Sequence, residues 1–401
     1  MTRILAITCS RAEYDLMSGL YKRLHAANDF ELKLLVAGAH LSPTFGRSIE
    51  QIRDDQLDIL LTIETLLDAD SRISRLKSAS LLLTGAIDTV AQYDPDLILY
   101  AGDREEVIIG ALLGAYLEIP TVHFFGGDHS RDGHVDHPVR HATSKLSTAH
   151  LVSLPEHEQR LLRMGEAPER VHCIGSIALD RFVEHQPAAE ADALRQLGLD
   201  DAFHSYAVVI FHPLAEEKEH AAGYFEHILS ALEEAKTPAL VSAPNADQGH
   251  RDLLDVATRW RDRPGFFFYK NLPRALFLDI YKNARLLVGN SSSGIIEAAS
   301  IPLPVVNVGM RQRGRLAGEN VIFCNPDRAA IVQAIDEALG DSMAQRLTTL
   351  SNPYGDGRSI DRALRLLREL DLRALLPKRE DVLDAVQADD KTRTFHGDLR
   401  Y

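Results

Sequence analysis

The chain has 401 residues, about two to three times the usual size of one domain, with 45% apolar and 25% charged residues. A small disulfide-stapled module and a globally disordered chain are both excluded, and two domains are expected. Forty-four Lys and Arg against 58 Asp and Glu give a net charge of −14, which disfavours general binding to nucleic acid or to an anionic membrane and obliges any anionic ligand to find a local basic pocket.

The N-terminal MTRILAITCSRAEYD opens with a strand-like run of six residues that meets polar residues at once. That run is too short for a signal-peptide core or a spanning helix, so a cytoplasmic protein is expected. Short β-branched runs follow one another at 3–9, 31–37, 96–101, 121–125, 149–153 and 171–174, and stretches such as 16–26 and 107–117 between them carry apolar residues at helical spacing. Such alternation implies a parallel sheet with helices on both faces, a Rossmann-like domain over residues 1–182. Between 182 and 205 the pattern lapses into an Ala-rich, charged stretch. A second series then runs through 206–211, 239–242, 286–289, 304–308 and 321–324, predicting a second Rossmann-like domain over 205–357. Residues 358–370, after the YGDGR turn, have the periodicity of an amphipathic helix expected to cross back to the first domain, and 371–401 read as a poorly ordered tail. Cys9, Cys173 and Cys324 are far apart with no CxxC pair, so buried strand thiols are expected in place of disulfides or a zinc site.

In open α/β sheets ligands bind beyond the carboxyl ends of strands. Here the first-domain strands deliver Ser10-Arg11-Ala12-Glu13, Gly102-Asp103-Arg104 and Gly126-Gly127-Asp128-His129. Those of the second deliver His212-Pro213, Pro244-Asn245-Ala246-Asp247 and Gly289-Asn290-Ser291-Ser292-Ser293-Gly294. Two such sets of loops facing each other would make an inter-domain cleft. GNSSSGIIEA has the makeup of a phosphate cradle, with small residues, hydroxyl donors and a helix start; the lesser alternative is that its serines just cap a helix over 294–299. Arg11, Arg104 and Arg311 are candidates to counter a diphosphate. In DHSRDGHVDHPVRH, the residues Asp128, His129, His134, Asp136, His137 and His141 are all of metal-ligand type. No fixed ligand motif organises them, so a polar active-site lining is the preferred reading and no metal is expected.

The ordered series GDR at Gly102, GGD with Asp136 ten residues after Gly126, RHATSKLS from Arg140, FHP at Phe211, PNAD at Pro244, GNSSSGIIEA at Gly289 and GMRQRGRLAGENVI from Gly309 resembles the UDP-N-acetylglucosamine 2-epimerases. The resemblance is to the hydrolysing branch, which supplies N-acetylmannosamine-type sugars for sialic and legionaminic acids, and it runs from residue 3 to about 370. It implies a glycosyltransferase-B-like fold and a mechanism in which a base takes the proton on carbon 2 as UDP leaves carbon 1, giving a glycal that water then hydrates with inversion at carbon 2. Neither cofactor nor metal is implied. Asp103 and Asp136 match acid/base positions of the family; Arg11, Arg104, His212, Ser291, Ser292, Glu297 and Arg311 match nucleotide and diphosphate positions, and Asn245 one near the ligand. Ser293 and Gly294 belong to the same cradle. A homodimer or homotetramer that binds a UDP-sugar is implied, with no nucleic acid or membrane partner.

Three positions depart from the pattern. Where many relatives place an acidic residue ahead of the Gly-Gly pair this chain has Phe125, the usual GGE becomes Gly126-Gly127-Asp128, and His137 stands where a second carboxylate often follows Asp136. Asp128 and His137 therefore join the catalytic candidates, since an imidazole can move protons near neutral pH. Phe125 would suit a less polar sugar edge, such as that of a 2,4-diacetamido-trideoxy sugar. The rival functions are a retaining glycosyltransferase of the same fold and a catalytically idle sugar-nucleotide binder.

Overall fold

The computed structural model describes residues 1–67, 72–129, 135–213, 218–243, 250–270 and 272–381. The chain divides into two compact units, Met1–Ile174 with Ala363–Tyr401, and Gly175–Arg362. The division thus falls at Ile174 and Gly175, ahead of the Ala-rich stretch at 182–205.

In the first unit seven strands among the described residues form one sheet, and its central ones are continuous apolar runs buried on both faces, as parallel pairing between helical layers demands. The seven are β1 (Thr2–Thr8), β2 (Phe30–Ala37), β3 (Ile59–Ile63), β4 (Leu97–Ala101), β5 (Thr121–Phe124), β6 (Ala149–Val152) and β7 (Val171–Cys173). All pair in parallel in the order β3-β2-β1-β4-β5-β6-β7, with Ile4 opposite Leu97 and Leu99 opposite Val122. Leu5, Ile7, Ile98 and Tyr100 form one face of the core against Leu82, Val90 and Leu113 from the helices Arg72–Tyr93 and Glu105–Tyr116.

In the second unit β8 (Ala207–Ile210), β9 (Ala239–Ser242), β10 (Phe266–Tyr269), β11 (Leu286–Gly289), β12 (Val305–Val308) and β13 (Val321–Cys324) pair in parallel in the order β10-β9-β8-β11-β12-β13. Trp260, Phe225 and Ile331 fill one face and Tyr206, Tyr281 and Leu303 the other. β3 and β10 are absent from the sequence-based set. Both are sheet edges, and every β3 residue is at least partly exposed, so β3 lacks the unbroken burial that marks the central strands.

Two further expectations change. Cys9 and Cys324 are buried, but Cys173 is exposed because β7 ends the sheet. Residues 371–381 are held rather than tail-like: Arg170, itself buried, reaches the Pro377 carbonyl at 3.1 Å and Glu380 at 2.6 Å, and Lys378 lies 2.5 Å from Glu166. The rest of the predicted tail, 382–401, lies outside the described residues. Among the described residues no helix is long and apolar enough to cross a membrane.

Candidate active site

In each sheet the order reverses once beside the first strand of the unit, between β1 and β4 and between β8 and β11. Neighbouring crossovers there leave in opposite directions and open a crevice at the carboxyl ends.

At the first switch point the chain leaves β1 through Ser10, whose Oγ accepts from Glu13 N at 3.4 Å and caps the helix Arg11–His25. Glu13 turns back, and its Oε2 accepts from Cys9 N at 3.2 Å. β4 leads into Gly102-Asp103-Arg104. Beneath that loop His123 is buried, and its Nε2 donates to the Gly102 carbonyl at 2.8 Å while Nδ1 lies 3.0 Å from Ser144 Oγ. Burial pushes His123 down to about 3, so it stays a neutral donor that pins the loop. A pocket of about 190 Å³ opens above, lined by Glu13, Leu16, Asp103, Arg104, Val107 and Phe125 among others. Phe125 adopts φ +62, a left-handed conformation that costs a side-chain-bearing residue about 1–2 kcal/mol. Two residues on, Gly127 has φ +73, and a Cβ there would strike the His157 carbonyl, which bars any larger residue.

Arg140 organises the carboxylates. Buried on the helix Asp136–Leu146, it pairs with Asp103 and reaches Asp128 Oδ2 at 2.8 Å, so one guanidinium ties the loop after β4 to the loop after β5. His157 Nε2 approaches the other Asp128 oxygen at 3.4 Å. Asp136 begins its helix and pairs with Arg75 at 3.2 Å, and Arg75 also holds Glu105 at 2.5 Å. His137 is buried with its ring 5.2 Å from that of His129, which stacks on His141. Of the four catalytic candidates, then, Asp103 lines the pocket, Asp128 is joined to it through Arg140, and Asp136 and His137 share the next helix start. Among the described residues no three His, Cys, Asp or Glu are grouped to hold a metal ion. His134 lies outside the described residues.

The cations at this site are already engaged. Arg104 pairs with Glu106 at 3.4 Å, and Arg11 with Asp15 at 3.5 Å. Burial raises the Glu13 carboxyl to about 8; the Cys9 N–H opposes the rise and the Glu106 charge adds to it.

At the second switch point β11 ends in Gly289, at φ +143, where a Cβ would collide with the Ile210 carbonyl. That contact brings Asn290 beside the end of β8. Asn290 Oδ1 accepts from His212 N and Nδ2 donates to the His212 carbonyl, both at 2.8 Å, while its own carbonyl accepts from Arg311 Nη1 at 2.9 Å and Gln312 Nε2 at 3.1 Å. Asn290 thus ties His212 through its side-chain amide and Arg311 through its backbone carbonyl to the end of β11. Ser291 Oγ accepts from Ser293 N at 3.2 Å. The helix that follows is only Ser292–Ile296, with a 3-10 turn at Ala298–Ser300, in place of the continuous helix expected over 294–299. Gly294 lies close against Val305, which favours the missing side chain. Glu297 is buried, accepts from Ser293 Oγ and pairs with Arg181 Nη2 at 3.1 Å. Asn245 and the rest of PNAD lie outside the described residues.

Sequence reasoning quoted Arg140, Glu13 and Asn290 without giving them a role, and passed over His123, His157 and Arg181. Glu13 stands three residues after Ser10, a spacing that reads as ordinary helix capping. The partners of the others are remote in the chain, so spacing carried no signal.

The family described as UDP-N-acetylglucosamine 2-epimerase matches residues 22–368 of this chain. The UDP-N,N'-diacetylbacillosamine 2-epimerase (hydrolyzing) of Legionella pneumophila is 35% identical over 370 residues, covering 92% of this chain and 96% of that protein. A UDP-N-acetylglucosamine 2-epimerase of Neisseria meningitidis is 30% identical, covering 84% and 88%. Among solved structures, the Methanocaldococcus jannaschii UDP-GlcNAc 2-epimerase in complex with UDP-GlcNAc and UDP superposes with a TM-score of 0.74 at 16% identity, covering 92% and 99%. At that identity the likeness shows the fold.

Proposed function

The chain belongs to the UDP-N-acetylglucosamine 2-epimerase family, and from that premise we propose that it is a hydrolysing nucleotide-sugar 2-epimerase, releasing UDP and a free manno-configured 2-acetamido sugar. The observation that carries the proposal is the pair Asp103 and Asp128, from two neighbouring strand ends, bridged by the buried Arg140 at a switch-point pocket. Epimerisation at carbon 2 needs a base to take one proton and an acid to return another, and a carboxylate whose position is fixed by a guanidinium is suited to the first task. Asp103 takes the carbon-2 proton while the bond from carbon 1 to the diphosphate breaks, its electron pair leaving with UDP. Water then adds to carbon 1 of the glycal. Asp128, Asp136 and His137 complete the acid–base set. Arg311, His212 and the Ser291–Ser293 hydroxyls hold the departing diphosphate, with Arg11 and Arg104 as further cations and Asn245 near the ligand. Glu297 accepts the ribose hydroxyls.

The proposed substrate is a UDP-2,4-diacetamido-trideoxy hexose. Leu16, Val107 and Phe125 give the pocket an apolar wall suited to a deoxygenated ring edge, and the Legionella relative carries the name of an enzyme for such a sugar. Incubation with UDP-N,N'-diacetylbacillosamine and, separately, with UDP-N-acetylglucosamine tests this. Faster UDP release from the diacetamido sugar supports the assignment. A preference for UDP-N-acetylglucosamine contradicts the assigned sugar, and release from neither contradicts the activity.

A further inference from the structure

Asp103, Asp128 and Arg140 meet at one place, yet they come from three separate pieces of chain: the loop after β4, the loop after β5 and the helix Asp136–Leu146. One imidazole lies against all three. His123, on β5 and wholly buried, stands opposite Tyr100 on β4 and His150 on β6, with their rings centred 5.7 and 6.4 Å from its own. Its Nε2–H donates to the Gly102 carbonyl, one residue before Asp103, at 2.8 Å. A carbonyl can only accept, so the proton of the neutral ring sits on Nε2, and Nδ1 accepts from the Ser144 hydroxyl at 3.0 Å. Ser144 Oγ also lies 3.1 Å from the carbonyl of Arg140, one turn back along the helix. The third contact is steric. Gly126, two residues before Asp128, packs so closely that a Cβ there would come within 3.1 Å of both His123 Nδ1 and Ser144 Oγ.

We propose that His123 is a positioning residue of the reaction, setting the geometry of Asp103, Asp128 and Arg140 by holding the three stretches of backbone that carry them. This rests on the hydrolysing-epimerase reading above. His123 has no exposed surface, so it acts through those three side chains and not on the sugar. Apolar packing is non-directional, whereas hydrogen bonds from the two nitrogens of one rigid ring fix both the distance and the angle between the Gly102 loop and the helix. Such precision has a catalytic consequence. Acid–base groups have to be held within about 0.5 Å of the productive geometry, and a misplacement of about 1 Å costs ~100-fold in rate.

If His123 only fills space, its best replacement is Phe, the nearest match in ring shape. If it acts by hydrogen bonding the best replacement is Gln, whose amide Nε2 stands in for the ring Nε2 and still donates to the Gly102 carbonyl. His123→Phe and His123→Gln, with Ser144→Ala as a milder cut between ring and helix, are to be given UDP-N,N'-diacetylbacillosamine, or whichever of the two UDP-sugars the wild type consumes. UDP calorimetry and thermal unfolding accompany the kinetics. The expected kcat is ~100-fold below wild type in H123F, within about tenfold of wild type in H123Q and about tenfold down in S144A. UDP affinity is expected to stay within about threefold throughout, because the proposed diphosphate contacts His212, Ser291 and Arg311 belong to the other unit. H123F as active as H123Q, S144A as active as wild type, or kcat and UDP affinity falling together in folded protein overturns the proposal. Should H123F not fold, S144A, which leaves the ring in place, decides. Crystal structures of wild type and S144A give a readout that needs no turnover: the Arg140 guanidinium should move by about 1 Å relative to Asp103 and Asp128, and an unmoved group overturns the proposal. A wild type that releases no UDP contradicts the epimerase reading instead.

Discussion

Arg140 is buried and touches carboxylates from two different strand ends, so removing its charge takes from Asp103 and Asp128 the guanidinium they share. Arg140→Met is predicted to lower kcat by ~100-fold or more while UDP binding falls much less, since Arg140 belongs to the first unit and the proposed diphosphate contacts His212, Ser291 and Arg311 to the second. Steady-state kinetics beside UDP calorimetry would check it. Asn290→Asp makes the complementary prediction. An aspartate cannot donate to the His212 carbonyl that Asn290 Nδ2 now reaches at 2.8 Å, so KM should rise about tenfold with kcat changed less. Legibility at this scale was uneven. Asp103 announced itself in GDR because it follows a strand directly, whereas Arg140 lies 37 residues from Asp103 and Asn290 lies 78 from His212, and nothing local marks such pairs.

At the scale of elements, the central strands were legible because burial on both faces makes them continuous apolar runs, and the half-exposed edge strand β3 was not. The segment 371–381 misled for a related reason: it holds its place by ion pairs and carbonyls rather than by an apolar stripe. Glu166 is its anchor, lying 2.5 Å from Lys378, 2.7 Å from Lys145 and 3.1 Å from His150. Burial works against its ionisation, yet the His150 hydrogen bond and the Lys378 charge outweigh that and hold it at about 2. A carboxyl lowered in the folded state contributes stability above its unfolded pKa and loses it as pH falls through the folded value. The stabilisation should therefore be complete near neutrality and disappear between about 4.5 and about 2. Glu166→Gln should cost about 2 kcal/mol at neutral pH and speed amide exchange at Leu375, Leu376 and Lys378, with the difference from wild type shrinking in acid. An undiminished difference at pH 2.5 would contradict the role given to the charge.

At the scale of the whole molecule, two parallel sheets of similar plan each place one reversal of strand order beside their first strand, and every group assigned here to acid–base or diphosphate work lies in or beside a loop leaving the carboxyl ends. The net charge of −14 explains why the cations matter locally: Arg104 and Arg311 follow strand ends, and Arg140 reaches two of the loops there from its helix, in a chain that otherwise repels anions. The sequence carried this plan because alternating strand and helix patterns mark where the strand ends must fall. The most direct test is proton NMR in deuterated water of the wild-type protein turning over UDP-N,N'-diacetylbacillosamine. Free manno-configured sugar carrying deuterium at carbon 2, formed in step with UDP, is the predicted result. UDP release with the carbon-2 proton retained, or with the configuration there unchanged, would contradict it.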